Sequence, residues 1–414
     1  MLQPQFFRKM NKKIFFNGLI VVSAMSIAAV IYHCKNPKIE SDYYNPIVLA
    51  AHENGEQFVG SETCMECHAD IYESHLETAH FNSSAMANSE NIKGSFENGA
   101  NVLDLEQVEF TLKPEEGSFY QHTEIKNRTV KIPAAKFDMV IGSGLRGQSY
   151  ATWQDDKLFQ LQTSYYSPTD SWVNSPGFPN YYDTERPIND ACLKCHVTFA
   201  KNKDFSGHGN QYEKEQILYG VDCERCHRPS AKHVKYHRKN PDEEAAKFML
   251  RFDTLSRQQR LDVCAQCHSG LRDRILKGNS FSFFSGEVLN EYARNAYQGP
   301  SEGPLDVHGN QYGLLASSKC FKETETMDCS TCHDPHQNQR GKAENFNLKC
   351  ISCHSAGTTV CSEETAVVGQ MENNCIACHM PITPSKSMTV QLAEKDSLET
   401  SFYIRTHLIG IYEK

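Results

Sequence analysis

One five-residue pattern, Cys-x-x-Cys-His, occurs seven times in this chain. The copies are Cys64-Met-Glu-Cys67-His68, Cys192-Leu-Lys-Cys195-His196, Cys223-Glu-Arg-Cys226-His227, Cys264-Ala-Gln-Cys267-His268, Cys329-Ser-Thr-Cys332-His333, Cys350-Ile-Ser-Cys353-His354 and Cys375-Ile-Ala-Cys378-His379. Two thiols separated by two residues span the two vinyl groups on one edge of a porphyrin and add to them as thioethers. The His that follows lies beneath the iron and offers an imidazole nitrogen as an axial ligand. This is the pattern of c-type haem attachment. With 17 Cys and 18 His in 414 residues, random order would give about 0.03 copies. The motifs absorb 14 of the 17 cysteines and leave Cys34, Cys320 and Cys361.

Other cysteine chemistries fit less well. A structural zinc site needs four N or S ligands, so the pairs would have to combine in twos. Seven pairs is odd, and zinc gives no reason for the invariable His. A thioredoxin-like pair would occur once, in a βαβ setting. A disulfide framework would not repeat one local spacing.

What stands opposite each proximal His decides the chemistry. An open face admits a substrate, whereas a second His closes the iron and leaves electron transfer. Eleven histidines lie outside the motifs: His33, His52, His75, His80, His122, His208, His233, His237, His308, His336 and His407. Without His33, ten candidates remain for seven irons, so bis-His ligation throughout is affordable by count. His336 follows His333 too closely to pass round its own porphyrin, so it is expected on a neighbouring haem. His233, six residues after His227, is expected to cross-link haems likewise. His80, His208, His308 and His407 lie in polar, loop-like surroundings suited to presenting a ligand. His75 and His237 are alternates to His80 and His233. His122 falls in a strand-like segment and is read as a non-ligand; His52 is read as solvated. Met380 follows His379 directly and cannot turn back onto the same iron.

The elements that must hold these groups are unevenly distributed. The first Cys of the first motif stands 128 positions before Cys192, after which the spacings tighten to 31, 41, 65, 21 and 25. Within that gap, Val108-Glu-Phe110-Thr-Leu112, Thr129-Val-Lys-Ile132 and Leu158-Phe-Gln-Leu161 alternate apolar and polar residues, with turns at Glu116-Gly117 and Asp155-Asp156. A small antiparallel β insert is expected there. Gly142-Ser-Gly144-Leu-Arg-Gly147 matches GxGxxG, but Tyr150-Ala-Thr-Trp153 continues as a strand. A hairpin corner is the better reading than a dinucleotide site. From 188 to 380, six motifs share fewer than 200 residues, too few per motif for independent cores. Short helices at 212–219, 242–252 and 255–268, with coil, are expected to wrap a continuous haem stack, the strands being confined to the insert.

Residues 14–32, IFFNGLIVVSAMSIAAVIY, follow Arg8, Lys9, Lys12 and Lys13. As a helix they would span roughly 28 Å at about 1.5 Å per residue, with the basic flank cytoplasmic and the remainder exported. An uncleaved anchor, a cleaved signal and a lipidated Cys34 are the alternatives. The resulting plan is a signal or anchor over 1–34, a tether over 35–60, a first haem segment over 61–95, the β insert over 96–187 and a six-haem domain over 188–414. Hydrophobic content is 39% and net charge −9. No basic tract suits a nucleic acid. Cys320 and Cys361, flanking two motifs in an oxidising compartment, form a disulfide or remain two buried thiols.

Several segments resemble the multihaem cytochromes of one broad group: Cys329-Ser-Thr-Cys-His-Asp-Pro-His336, Cys375-Ile-Ala-Cys-His-Met-Pro381 and Cys223-Glu-Arg-Cys-His-Arg-Pro-Ser-Ala-Lys-His233. The group includes the tetrahaem cytochrome of nitrifying bacteria, hydroxylamine oxidoreductase, ammonia-forming nitrite reductase and octahaem tetrathionate reductase. Val140-Ile-Gly-Ser-Gly144, Ser164-Tyr-Tyr-Ser-Pro168 and Trp172-Val-Asn-Ser-Pro-Gly177 are similar to a branch with a β insert after the first haem. Arg405-Thr-His407-Leu-Ile resembles the late distal-histidine segment of that branch. The nitrite reductases carry Lys in place of one motif His, and the octahaem enzymes an eighth motif; this chain has neither.

The expectation is an exported, membrane-tethered heptahaem cytochrome c that passes electrons between respiratory partners, such as a quinol-oxidising complex, a terminal reductase or another cytochrome. The alternative is an oxidoreductase acting on nitrite, hydroxylamine or tetrathionate at one five-coordinate haem. The first haem is then the candidate, with Arg146 and Tyr150 either lining its pocket or packing the hairpin.

Overall fold

The structure is a computed structural model that describes residues 49–183, 186–270, 273–295, 305–354, 374–393 and 399–412. The basic-apolar segment, Cys34 and Cys361 lie outside the described residues. Among the described residues, no helix is long and apolar enough to cross a membrane.

Alternating apolar side chains set the first strands. β1 is Ser84–Met86, β2 Val102–Asp104, β3 Val108–Glu115, β4 Ser118–Ile125 and β5 Ala135–Lys136. β2 to β5 form an antiparallel four-stranded sheet in sequence order. On β3, Val108, Phe110 and Leu112 turn inward and are fully buried, each contributing about 1.5–3 kcal/mol by leaving water. Glu116 and Gly117 both have positive φ. That is the conformation of a two-residue turn whose twist matches the strands it joins, and Glu115 pairs with Ser118 across it.

A second sheet has the order β1-β6-β7-β8-β9-β14-β15. Its members are β6 Met139–Ile141, β7 Gly147–Gln154, β8 Lys157–Tyr166 and β9 Ser171–Asn174, with β14 Ile382–Gln391 and β15 Glu399–Arg405 arriving from the far end of the chain. The glycine-rich stretch is the corner between β6 and β7, which pair Val140 with Tyr150. Between the two sheets Phe137 stacks on Tyr150 at 4.8 Å, and Trp172 donates its indole N–H to the Ser95 carbonyl at 2.6 Å. Tyr166, Val173, Val390 and Phe402 form a separate apolar cluster that attaches β14 and β15.

The strands are therefore not confined to the insert. Residues expected as a helix at 212–219 are β11 (Tyr212–Tyr219), paired with β10 (Val197–Asn202). Tyr212 and Ile217 pack inward with Val197 and Phe199, which a paired strand allows. β12 (Asp273–Ile275) pairs with β13 (Ala293–Asn295). Most of 242–252 is irregular, with only a 3₁₀ turn at Phe252–Thr254.

The helices are short: α1 Ser61–Leu76, α2 Asp190–Leu193, α3 Cys223–His227, α4 Ala231–Lys239, α5 Arg257–His268, α6 Leu289–Tyr292, α7 Gln311–Ser317, α8 Lys319–Glu323, α9 Ala343–His354 and α10 Cys375–His379. The expected 255–268 helix is α5. It starts at a capping box in which Ser256 and Gln259 satisfy each other's backbone N–H groups.

Part of the stretch expected as a tether is packed. Residues 49–60 pack into the main body: Ala50 and Phe58 join the core beside Phe199 and Phe281. His52, expected in solvent, is buried and bonded through Nε2 to the Phe281 carbonyl at 3.1 Å. Aromatic neighbours at 199, 281 and 284 cover a segment whose own composition is polar.

Candidate haem-binding sites

Each Cys-x-x-Cys-His lies in or beside one turn of helix or 3₁₀ helix, which brings the two thiols and the His to one side. The first is within α1, where the helix breaks at His68 (φ −121°, ψ 42°). The second runs from α2, the third is α3, and the fourth closes α5. The fifth begins in a 3₁₀ turn at Cys329–Thr331; the sixth closes α9 and the seventh is α10. Two are pinned by the preceding aspartate. Asp222 accepts from Cys223 N at 2.7 Å. Asp328 accepts from Thr331 N at 3.2 Å and from Arg260 Nε at 2.5 Å. An Asp directly before the first Cys is an N-cap signal legible in the sequence.

The non-motif histidines converge on these turns. A metal–imidazole nitrogen bond is about 2.0 Å, and the ring centre lies about 1.2 Å behind the nitrogen, so two axial imidazoles on one metal hold their centres about 6.4 Å apart. His80 and His268 are 6.2 Å apart, His227 and His336 6.1 Å, and His333 and His407 6.1 Å. These separations are close to that spacing. His308 stands within electrostatic reach of His196 and His268, and His233 within reach of His68. Burial, followed by neighbouring imidazoles, pushes His80, His227 and His407 down to about 4. They are therefore neutral at pH 7, the form that can coordinate. The His80 and His333 side chains remain accessible to solvent.

Several motif imidazoles are tied down through Nδ1. His196 Nδ1 meets the Ser83 carbonyl at 3.3 Å, and His379 Nδ1 the Gly410 carbonyl at 2.8 Å. His268 Nδ1 meets Gln311 Oε1 at 3.1 Å. A carbonyl only accepts, so Nδ1 carries the proton and Nε2 keeps its lone pair for a metal. The same reasoning separates His233 from His237. His233 Nδ1 donates to the Lys247 carbonyl at 2.8 Å, freeing Nε2. His237 Nε2 accepts from Lys247 N at 3.3 Å, which uses its only lone pair.

Other expected residues are placed elsewhere. His75 is buried, with Nε2 3.5 Å from Asp222 and Nδ1 3.4 Å from Thr78 Oγ1. Its ring is 6.3 Å from His336, but it pairs with no motif His. His122 is bonded to Glu115 at 2.7 Å on the sheet. His208 is exposed in the 203–211 loop beside Asp204; among the described residues no motif His faces it. Tyr150 is fully buried against Phe137 and Trp172 and packs the hairpin, while Arg146 is exposed at its corner. Among the described residues no second histidine stands opposite His354 or His379. Cys320, on α8, lies near Cys332 and Cys350. Its expected partner Cys361 falls outside the described residues. Gln311, the Ser83 and Lys247 carbonyls and the Gly410 carbonyl carry no sequence signal, because the fold alone brings them to the rings.

The motif thiols also set an order in space. The Cys64 thiol lies beside that of Cys223, Cys195 beside Cys267, and Cys264 beside Cys329. Cys226 lies beside Cys267, Cys332 beside Cys353, and Cys350 against Cys375. The attachment sites thus run first–third–fourth–fifth–sixth–seventh, with the second branching from the fourth.

Helical turns carrying paired thiols and a following His, with further imidazoles opposed to several of them, are the features of a multihaem c-type cytochrome. The comparisons agree. The profile of the family described as "Cytochrome c554 and c-prime" matches residues 148–228. The multiheme cytochrome MtrA of Shewanella baltica (strain OS185) is 26% identical over 183 residues, 40% of this chain. The chain spans about half the length of that relative, 52%. The crystal structure of the outer cell wall cytochrome OcwA superposes with a TM-score of 0.55 over 85% of this chain and 79% of that one, at 18% identity, and so shares the fold.

Proposed function

We propose that this chain is an exported heptahaem cytochrome that carries electrons between redox partners. Each motif contributes its two cysteines as thioethers, and His68, His196, His227, His268, His333, His354 and His379 serve as proximal ligands. His233 serves the first haem, His308 the second, His336 the third, His80 the fourth and His407 the fifth as distal ligands. When bound, the haems supply one-electron ferric–ferrous exchange. The chain's own residues would hold them at adjacent attachment sites, offer the first five a second imidazole and keep His80, His227 and His407 neutral. The observation that carries this reading is the set of three opposed histidine pairs at 6.1–6.2 Å. Each pair joins a motif to a histidine at least 70 residues away in sequence.

The membrane tether, by the apolar segment or a lipidated Cys34, and partners such as a quinol-oxidising complex, a terminal reductase or another cytochrome belong to the same proposal. So does the particular likeness to the hydroxylamine oxidoreductase and nitrite reductase group. One observation favours a second reading, a multihaem oxidoreductase acting on a small nitrogen or sulfur compound: the sixth and seventh motif histidines face no second histidine among the described residues. That moves the candidate open haem from the first site to the last two. Electron paramagnetic resonance of the purified holoprotein separates the two. Low-spin signals alone support transfer; a high-spin centre together with turnover of nitrite or hydroxylamine supports the enzyme.

A further inference from the structure

The fourth motif lies where the branch from the second meets the line of the others, and its imidazole is held differently. His196 and His379 rest on main-chain carbonyls, which no side-chain substitution removes. His268 rests on a side chain, the carboxamide of Gln311 at the start of α7, 43 residues away. The amide orientation is fixed independently. Gln311 also contacts the Val307 carbonyl at 3.3 Å, which accepts only. Its Nε2 must therefore donate there, leaving Oε1 to accept from His268 Nδ1–H. One side chain thus sets the tautomer of His268 and grips the residue preceding His308. Both ends lie in the site already described, but nothing in the Cys-x-x-Cys-His chemistry demands a glutamine.

We infer that Gln311 is a positioning residue that tunes the fourth haem: its carboxamide oxygen polarises the His268 N–H and so fixes how strongly that imidazole donates to iron. A ligand whose remote N–H is hydrogen-bonded is more basic and favours the more positively charged metal. A stronger acceptor should then lower the reduction potential at the junction, and loss of the acceptor should raise it. Val307 links this bond to the His308 segment, so the junction and its branch share one anchor. The inference rests on the heptahaem reading.

The test is a potentiometric titration of full-length holoprotein carrying Gln311→Glu or Gln311→Leu. Both variants lose the amide donor to Val307, so any effect of that bond is common to them; only the acceptor toward His268 differs. The expected result is a shift of one of the one-electron components in opposite directions. Gln311→Glu moves it down by about tenfold in ferric over ferrous preference, or 59 mV, and Gln311→Leu moves it up. Shifts of the same sign in both variants, or titrations that superimpose on the native curve, would overturn the inference. Haem content by intact mass is checked first, on native protein and variants. A native protein without seven haems sinks the underlying reading instead. If the leucine variant does not load, Gln311→Met provides the acceptor-free comparison.

Discussion

His233 and His237 sit one helical turn apart with ring centres 4.6 Å apart, and the peptide groups of Lys247 sort them. One ring donates to the Lys247 carbonyl and the other accepts from its N–H. Removing His233 should therefore open the first haem and produce one high-spin signal in the paramagnetic resonance spectrum, whereas His237→Ala should leave the spectrum low-spin. Equal effects of the two would show that the bonding pattern does not choose the ligand. Asp190 gives a prediction of another kind. Burial raises its carboxyl to about 7, against the opposing hydrogen bonds from Asn202 and Tyr212. A folded value above the unfolded one means that stability is full below about pH 4 and is lost as pH rises through 7. Between pH 5 and 8 the native protein should lose roughly 2–3 kcal/mol relative to Asp190→Asn. Thermal melts of both at several pH values check this, and parallel curves would contradict it.

At the scale of elements, the proposed distal ligands depend on close approaches between segments distant in sequence. Gly220, just before the third motif, has φ +68°, and an added Cβ would lie 2.2 Å from the Phe81 carbonyl oxygen, next to His80. Gly220→Ala should cost about 1–3 kcal/mol in forced displacement and misalign His80 from His268. Denaturant unfolding together with the spin state would reveal both effects; an unchanged midpoint and spectrum would refute the coupling. Arg405 supplies another bridge. On β15, it donates to the Ile376 and Met380 carbonyls of the seventh motif, two residues before His407.

These approaches mark the limit of what the sequence made legible. The turns bearing the motifs, the β3–β4 hairpin and the hairpin corner at 142–147 are local, and their residues announce them. His80, His233, His308, His336 and His407 were legible as candidates because the demand for axial ligands outweighs the ordinary surface role of a histidine. His208 was indistinguishable from them by composition, since exposure is a property of the fold. β14 and β15 carry little sequence signal because Ile382–Gln391 is only half buried and gains its place by pairing with β15 and, at Gln391, with β9.

At the scale of the whole molecule, the thiol contacts describe a line of attachment sites with one branch. Cutting it at the junction should divide it. With Cys264 and Cys267 both replaced by Ala, the second site would be severed from the rest and the first and third from the fifth to seventh. A reductant entering at one end should then leave part of the haem population oxidised on the stopped-flow timescale at which the native protein is fully reduced. Complete reduction at the native rate would exclude a single junction.

The central claim is that every one of the seven thiol pairs carries a covalent haem. Intact mass of the protein purified from a host that matures c-type cytochromes tests it most directly. The account predicts a single species heavier than the polypeptide by seven haems. A species carrying six or fewer after full maturation would contradict it.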